Sequence, residues 1–228
     1  MITIVTPWIN HMEFLAGYER AAQGAQVILI DNGSHELAAA QLVKLAERLG
    51  NGSKCIRNEE NRFFSAANNQ GLEAATGDVI LFLNNDIEAQ PGWLDAVARD
   101  VTDGLLISPG IRTLESVGEL VDVSELRHLV ARGQSFPYVE GWCVAGTQRT
   151  WAELGGWDAE AYPKPYIEDC DLSWRARVAG MRLMRSHWPV MHLRNGTVKE
   201  MPETLTSLLP NCLTFCHRVE EWLRLKAA

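Results

Sequence analysis

Apolar and polar positions along this chain fall into blocks of two kinds. Short, mostly apolar runs at 2–5, 27–30 and 79–83 end at turn-forming residues, Thr6-Pro7, Asp31-Asn32-Gly33 and Asn84-Asn85-Asp86. Runs of that length, rich in β-branched side chains, predict strands covered on both faces. Between them lie segments of helical period. Leu37, Gln41, Leu42, Leu45, Ala46 and Leu49 form a stripe between Ser34, a candidate N-cap, and Gly50. Residues 64–75 are Ala-rich and stop at Thr76-Gly77, and Pro91 suits the first turn of a helix over 92–99. Cys55-Ile56-Arg57 reads as an edge strand.

This alternation predicts an α/β domain with a mostly parallel central sheet and helices on both faces, at least to about residue 100. Further on, strands are expected at 105–108, 143–145 and 189–192, around a helix at 170–179 that Gly180 stops. Residues 112–137 give mixed signals and read as irregular with room for a short helix. The tail over 203–226 carries Leu205, Leu208, Leu209, Leu213 and Trp222 and predicts helix broken near Pro210, capping the core or forming a subunit contact. No repeat, low-complexity tract or linker divides the chain.

Composition narrows the function classes. With 228 residues, 46% hydrophobic and 22% charged, the chain can bury a core and is not disordered. The 29 acidic residues outnumber 21 basic ones, for a formal charge of −8, which disfavours nonspecific binding of nucleic acid. Cys55, Cys143, Cys170, Cys212 and Cys216 are odd in number and include no CxxC pair, so they read as reduced thiols of a cytoplasmic protein. The N-terminus lacks a secretion signal, and no apolar run approaches membrane-spanning length. Peripheral attachment at the inner face of a membrane stays open.

Open parallel sheets collect ligands outside the carboxyl ends of their strands. Asp31 and Asp86 both fall there, although each alone reads as a turn former. Glu168-Asp169-Cys170-Asp171 opens a helix, where the dipole is expected to keep carboxylates ionised and Asp169 able to accept a proton; Asp171 and Arg175 have the spacing of a stabilising pair. His192 follows the strand at 189–192. Joined to Asp86, it supplies the imidazole and carboxylate set that Mn²⁺ accepts, with positions left for phosphate oxygens. Cys212 and Cys216 lie one helical turn apart beside His217 and read as a thiol-bearing core face rather than a metal site.

Together these pieces resemble a known family. Asp31-Asn32-Gly33-Ser34, Asn61-Arg62-Phe63-Phe64-Ser65-Ala66-Ala67-Asn68-Asn69-Gln70-Gly71, Thr76-Gly77-Asp78 and Leu83-Asn84-Asn85-Asp86 are similar to motifs of the family 2 glycosyltransferases of GT-A fold. Leu154-Gly155-Gly156-Trp157-Asp158 and Glu168-Asp169-Cys170-Asp171-Leu172-Ser173-Trp174-Arg175 resemble its acceptor-side motifs, with His192 as its late histidine. The match runs in the expected order from residue 2 to about 197.

The resemblance implies one GT-A domain over about 1–200, with a nucleotide-binding half to about 100, an acceptor-binding half beyond it, and a helical extension over 201–228. It implies transfer of a sugar from a nucleoside diphosphate sugar, UDP foremost, to a glycan, lipid-linked or other hydroxyl acceptor with inversion. Thr6, Asp31, Asn61 and Asn68 would line the nucleoside pocket. Asn84-Asn85-Asp86 stands in place of the DXD-type motif, so that Asp86 and His192 would hold Mn²⁺ or Mg²⁺ while Asn84 and Asn85 offer amides to ribose or sugar. Asp169 would be the general base, and Glu168 would orient the acceptor or brace the helix start. Phe63 stands where the family often has glycine. Trp142, Trp157, Tyr162 and Tyr166 are candidates to stack on sugar, and Arg194 and Lys199 to reach the phosphates from a closing segment. Two rivals are weighed: a sugar-nucleotide pyrophosphorylase, disfavoured because residues 3–14 hold no glycine-rich phosphate loop, and a silent module that binds nucleotide or glycan. A homo-oligomer is left open.

Overall fold

Every residue of the second strand is buried, because successive side chains of a strand face opposite sides and here both sides are covered. In the computed structural model, which describes residues 1–117, 123–193 and 206–227, that strand lies inside a seven-stranded sheet. Its members are β1 (Ile2–Trp8), β2 (Gln26–Asn32), β3 (Lys54–Asn58), β4 (Val79–Leu83), β6 (Leu105–Ser108), β9 (Cys143–Thr147) and β10 (Arg182–Arg185), in the order β10-β6-β9-β4-β1-β2-β3. All neighbours run parallel except at β9, which is antiparallel to both β4 and β6. Two antiparallel ribbons lie outside the sheet: β5 (Ile87–Ala89) with β11 (Val190–His192), and β7 (Ile111–Thr113) with β8 (Pro137–Val139).

Alternate residues of each strand feed two cores. Ile4, Leu29 and Leu81 meet α1 (Leu15–Ala21), α2 (Glu36–Leu49) and α4 (Trp93–Asp100) on one face. On the other, Val5, Ile28 and Phe82 meet α3 (Phe63–Ala74), α7 (Gln148–Leu154) and α8 (Glu168–Val178). The short α5 (Leu114–Val117) and α6 (Ser124–Ala131) follow β7. A third cluster joins α6 to α9 (Leu208–Ala227), through Leu126, Leu129, Phe215 and Val219, and reaches α8 at Cys170. The expected α/β architecture, mostly parallel with helices on both faces and a C-terminal helix, is what the chain adopts. All five cysteines are free thiols. Among the described residues no helix is long and apolar enough to cross a membrane.

Several local readings need correction. The buried stripe of α2 is Ala38, Ala39, Leu42, Leu45, Ala46 and Leu49; Leu37 is 75% exposed, since it sits one residue, about 100° of helical rotation, away from Ala38. Its N-cap is His35, whose Nδ1 accepts from Ala38 N at 3.3 Å, while Ser34 Oγ accepts from Asn10 N at 2.9 Å. Residues 112–137 contain β7, α5, α6 and the start of β8, although 118–122 lie outside the described residues. The tail is one continuous helix from Leu208. Pro210 falls in its first turn, where the missing N–H would have had no partner within the helix.

Two features aim this scaffold at one edge. Because β9 runs against the others, its N-terminal end arrives where β4 finishes: Leu83 pairs with Cys143, and Asn84 N donates to Trp142 O at 2.7 Å. On the other side of β4, α3 lies close against β1 because residue 71 is glycine. A Cβ there would come 2.1 Å from Val5 Cγ1.

Candidate active site

The ends of β4 and β9 and the N-terminus of α8 enclose a cleft of ≈ 350 Å³, lined among others by Asn84, Glu140, Trp142, Glu168, Asp169 and His192. Residues far apart in sequence meet here because a strand end, a ribbon and a helix start converge.

The β5–β11 ribbon delivers His192. Its register sets His192 opposite Ile87, and Leu193 N donates to Asp86 O at 2.9 Å. The imidazole Nε2 then lies 3.0 Å from Oδ1 of the fully buried Asp86 and 3.3 Å from Asn84 Nδ2. Trp142 stacks flat on the His192 ring, with centroids 4.9 Å apart and planes 2° from parallel, so the imidazole has little freedom to rotate. No group of three or more His, Cys, Asp or Glu side chains able to hold a metal occurs among the described residues. A carboxylate and an imidazole in contact nonetheless fit a divalent cation whose remaining positions are filled by phosphate oxygens and water.

Across the cleft, Glu168 and Asp169 begin α8. Gly141 N points to Asp169 Oδ2 at 3.4 Å and Cys170 N to Oδ1 at 2.9 Å, while Ser173 Oγ takes Val139 N at 3.0 Å and ties the helix to β8. The helix end was expected to keep these acids ionised, but burial outweighs it. Desolvation raises both carboxyls above the ordinary carboxylate range, and the Asp169 charge raises Glu168 further. Glu168 Oε2 is shut off from solvent and has no hydrogen-bond partner among the described residues.

The chain enters this helix through a strained turn. Tyr166 and Ile167 have φ of 84° and 73°, a region that a β-branched residue rarely occupies, at a cost of about 1–3 kcal/mol each. The turn is held from α9. Asn211 Nδ2 faces the carbonyl oxygens of Lys164, Pro165 and Tyr166 at 3.1, 3.1 and 2.8 Å, and Ser207 Oγ donates to Pro165 O at 2.8 Å. At about 1 kcal/mol each, these bonds match the strain in size. One turn into α8, the buried Asp171 pairs with Arg175 Nε at 2.7 Å, as its spacing predicts, and also with Arg218 of α9, whose Nη2 reaches Asp158 at 2.7 Å.

Glu140 escaped the sequence reading. Arg112 Nε holds its Oε1 at 2.7 Å and Trp142 Nε1 lies 3.3 Å from its Oε2, leaving the carboxylate facing the cleft. The space it fills exists because residue 110 is glycine, where a Cβ would overlap the Glu140 carboxylate. A lone glutamate between two short strands carries no sequence signal. Asn211 and Arg218 escaped too, since their partners lie 45 and 47 residues away.

The residues expected around a nucleoside lie at the ends of β1 and β2 and the start of α3, and do not line this cleft. Thr6 is fully buried and its hydroxyl meets Tyr18 OH at 2.6 Å. Asp31 Oδ1 accepts from Ser34 N at 2.9 Å, with Arg57 Nε 3.5 Å from its Oδ2. Asn61 Oδ1 accepts from Asn32 Nδ2 at 2.7 Å and from Phe63 N at 2.8 Å. That second bond fixes Phe63 at φ 60°, a backbone shape glycine takes without strain, which is the physical reason a glycine suits this position. Asn68 is fully buried, with neither amide atom paired among the described residues. Asn85 is half-buried beside Asp86.

Of the candidate sugar platforms, Trp142 and Tyr166 line the cleft, whereas Trp157 and Tyr162 are buried at 2% and 1% exposure and cannot present a ring face to a ligand. Arg194 and Lys199 lie outside the described residues.

A model of the family described as "Glycosyl transferase family 2" matches residues 18–132, half of the chain. The "Pre-mycofactocin glycosyltransferase" of Mycobacterium tuberculosis is 26% identical over 198 residues, covering 80% of this chain and 40% of that protein. The "Putative glycosyltransferase EpsH" of Bacillus subtilis is 29% identical over 100 residues, covering 42% of this chain and 28% of its own. The chain thus spans well under half the length of the curated relatives it matches. Among solved structures, the mannosyltransferase PcManGT from Pyrobaculum calidifontis in complex with GDP-Man and Mn²⁺ superposes with a TM-score of 0.59 at 17% identity, covering 81% of this chain and 54% of that one. S. aureus TarS 1-349 in complex with UDP-GlcNAc gives 0.56 at 18% identity, covering 86% and 59%. These likenesses establish the GT-A fold.

Proposed function

The chain belongs to glycosyl transferase family 2, and from that premise we propose that it transfers a sugar from a nucleoside diphosphate sugar to an acceptor hydroxyl, with inversion at the anomeric carbon and Asp169 as general base. One observation supports the reading: His192, in contact with the buried Asp86, lines the same cleft as Glu168 and Asp169.

Asp169 takes the proton of the acceptor hydroxyl as that oxygen's lone pair attacks the anomeric carbon. The bond from that carbon to the diphosphate oxygen breaks on the opposite face, and the nucleoside diphosphate leaves with the electron pair. Burial suits the task, since a carboxyl raised toward neutrality is a stronger base than an ordinary one. Glu168, raised further by its neighbour's charge, is suited to hydrogen-bonding the acceptor. Asp86 and His192 would hold Mn²⁺ or Mg²⁺, which when bound neutralises charge on the diphosphate. Asn84, in contact with His192, and Asn85 offer amides to ribose or sugar, and the Asp31, Asn61 and Asn68 region takes the base. UDP is the proposed nucleotide, and a glycan or lipid-linked hydroxyl the acceptor.

Incubation with UDP-glucose, UDP-GlcNAc and GDP-mannose in the presence of Mn²⁺, with release of nucleoside diphosphate to water as the readout, tests this. Turnover of at least one donor is expected. Binding of a donor without turnover, with or without added glycans and lipid-linked acceptors, would support a silent binding module instead.

A further inference from the structure

Three successive carbonyls converging on one buried amide is an unusual use of an asparagine. Asn211 is 6% exposed, and its Nδ2 has two hydrogens for the oxygens of Lys164, Pro165 and Tyr166, so one hydrogen is shared. The segment it gathers leads directly into the left-handed pair Tyr166 and Ile167, and the next two residues are Glu168 and Asp169. Ser207, just before α9, binds the middle carbonyl of the same three. Pro163 and Pro165 restrict the approach, but nothing in the sequence favours the left-handed pair: Tyr166 and Ile167 stand where glycine or asparagine would be at ease. Its conformation is therefore imposed from outside, and the bonds from Asn211 and Ser207 are what impose it.

We propose that Asn211 is a positioning residue for transfer. By holding the carbonyls of 164–166 it fixes the turn that sets the start of α8, and so fixes the direction in which the Asp169 carboxylate faces the cleft. This rests on the reading of Asp169 as general base. Asn211 touches no substrate; it acts through the loop. Ser207 supports the same turn with a single bond and has a smaller share. The C-terminal helix thus belongs to the catalytic apparatus although none of its residues carries the reaction.

The test compares Asn211→Ala, Asn211→Asp and the milder Ser207→Ala with the wild-type chain, using the donor it turns over in the presence of Mn²⁺. Asn211→Asp keeps the size of the side chain but sets acceptors against three carbonyls. Misplacement of the base predicts a fall in kcat of about 10- to 100-fold for both Asn211 variants and about 2- to 5-fold for Ser207→Ala, with donor KM within about 2-fold. Hydrogen exchange over 163–169 should quicken in each variant while β4 stays protected. Wild-type kcat and exchange in folded Asn211→Ala, or losses of kcat and KM that merely track lowered stability, overturn the proposal. Should the Asn211 variants not fold, unchanged kcat and exchange in Ser207→Ala overturn it. The two readings fail separately. If Asp169→Asn keeps its turnover, the base assignment falls whatever Asn211 does; if Asp169→Asn is inactive while Asn211→Ala is fully active, only the positioning role falls. Without wild-type turnover the exchange arm decides, and equal rates overturn the clamp.

Discussion

Glu168 and Asp169 show two opposing forces on one pair of acids. The first turn of a helix favours their charged forms, worth about 0.3–1 kcal/mol at an exposed site, but removal from water acts the other way and exceeds it. Both carboxyls are consequently raised, burial first. The sign for stability follows. The folded state binds the dyad's protons more tightly than the unfolded chain does, so the contribution is complete below the ordinary carboxylate range and is lost as pH rises through the raised values. Glu168→Gln should therefore lose less stability than the wild-type chain between pH 5 and pH 9, as read by urea denaturation; parallel curves would contradict this. Donor turnover should rise with pH along a limb above the usual carboxylate range, because Asp169 must be deprotonated. Around Asp169, Glu140 from the β8–β9 turn, Tyr138 of β8, and Glu168 and Cys170 of its own helix are the titratable groups that shape that limb. The acids were legible as residues. Their protonation was not, because burial depends on what packs over them.

Long elements announced themselves, and short ones did so only in part. β2 and β4 were readable because four and five consecutive apolar residues leave no other buried arrangement, and α2 because its period repeats over about four turns. β11 was expected at 189–192, but the three-residue β5 has no such signal and their pairing spans about a hundred residues of chain; yet that ribbon is what puts His192 on Asp86. The seven-residue α7 went unread as well, although Thr147, whose Oγ1 accepts from Thr150 N at 3.1 Å, was a cap that could have been found. Gly71 has a readable consequence at this scale. Its contact with Val5 seats α3 on β1, so Gly71→Ala should cost about 1–3 kcal/mol through overpacking and lower Tm by about 2–10 °C. An unchanged Tm would mean that the helix can shift without loss.

For the whole molecule, the decisive fact is that one edge of one sheet gathers segments from both halves of the chain. Six parallel strands end there, the single antiparallel strand begins there, and α8 points its N-terminus at the same place. Local pattern predicted the layers, but convergence was legible only through the order of motifs that resemble the family. The bracing by α9 was not legible at all, because a hydrogen bond from Asn211 or an ion pair from Arg218 leaves no period in a sequence. The account stands on a division of labour across the cleft, and a paired comparison addresses it most directly: calorimetric donor affinity with Mn²⁺, and donor turnover, in Asp86→Ala and Asp169→Asn. Asp169→Asn should bind donor within about 3-fold of the wild-type chain yet lose turnover by about 10²–10⁴-fold, while Asp86→Ala should lose the Mn²⁺-dependent part of binding. Wild-type binding and turnover in both variants would contradict the account.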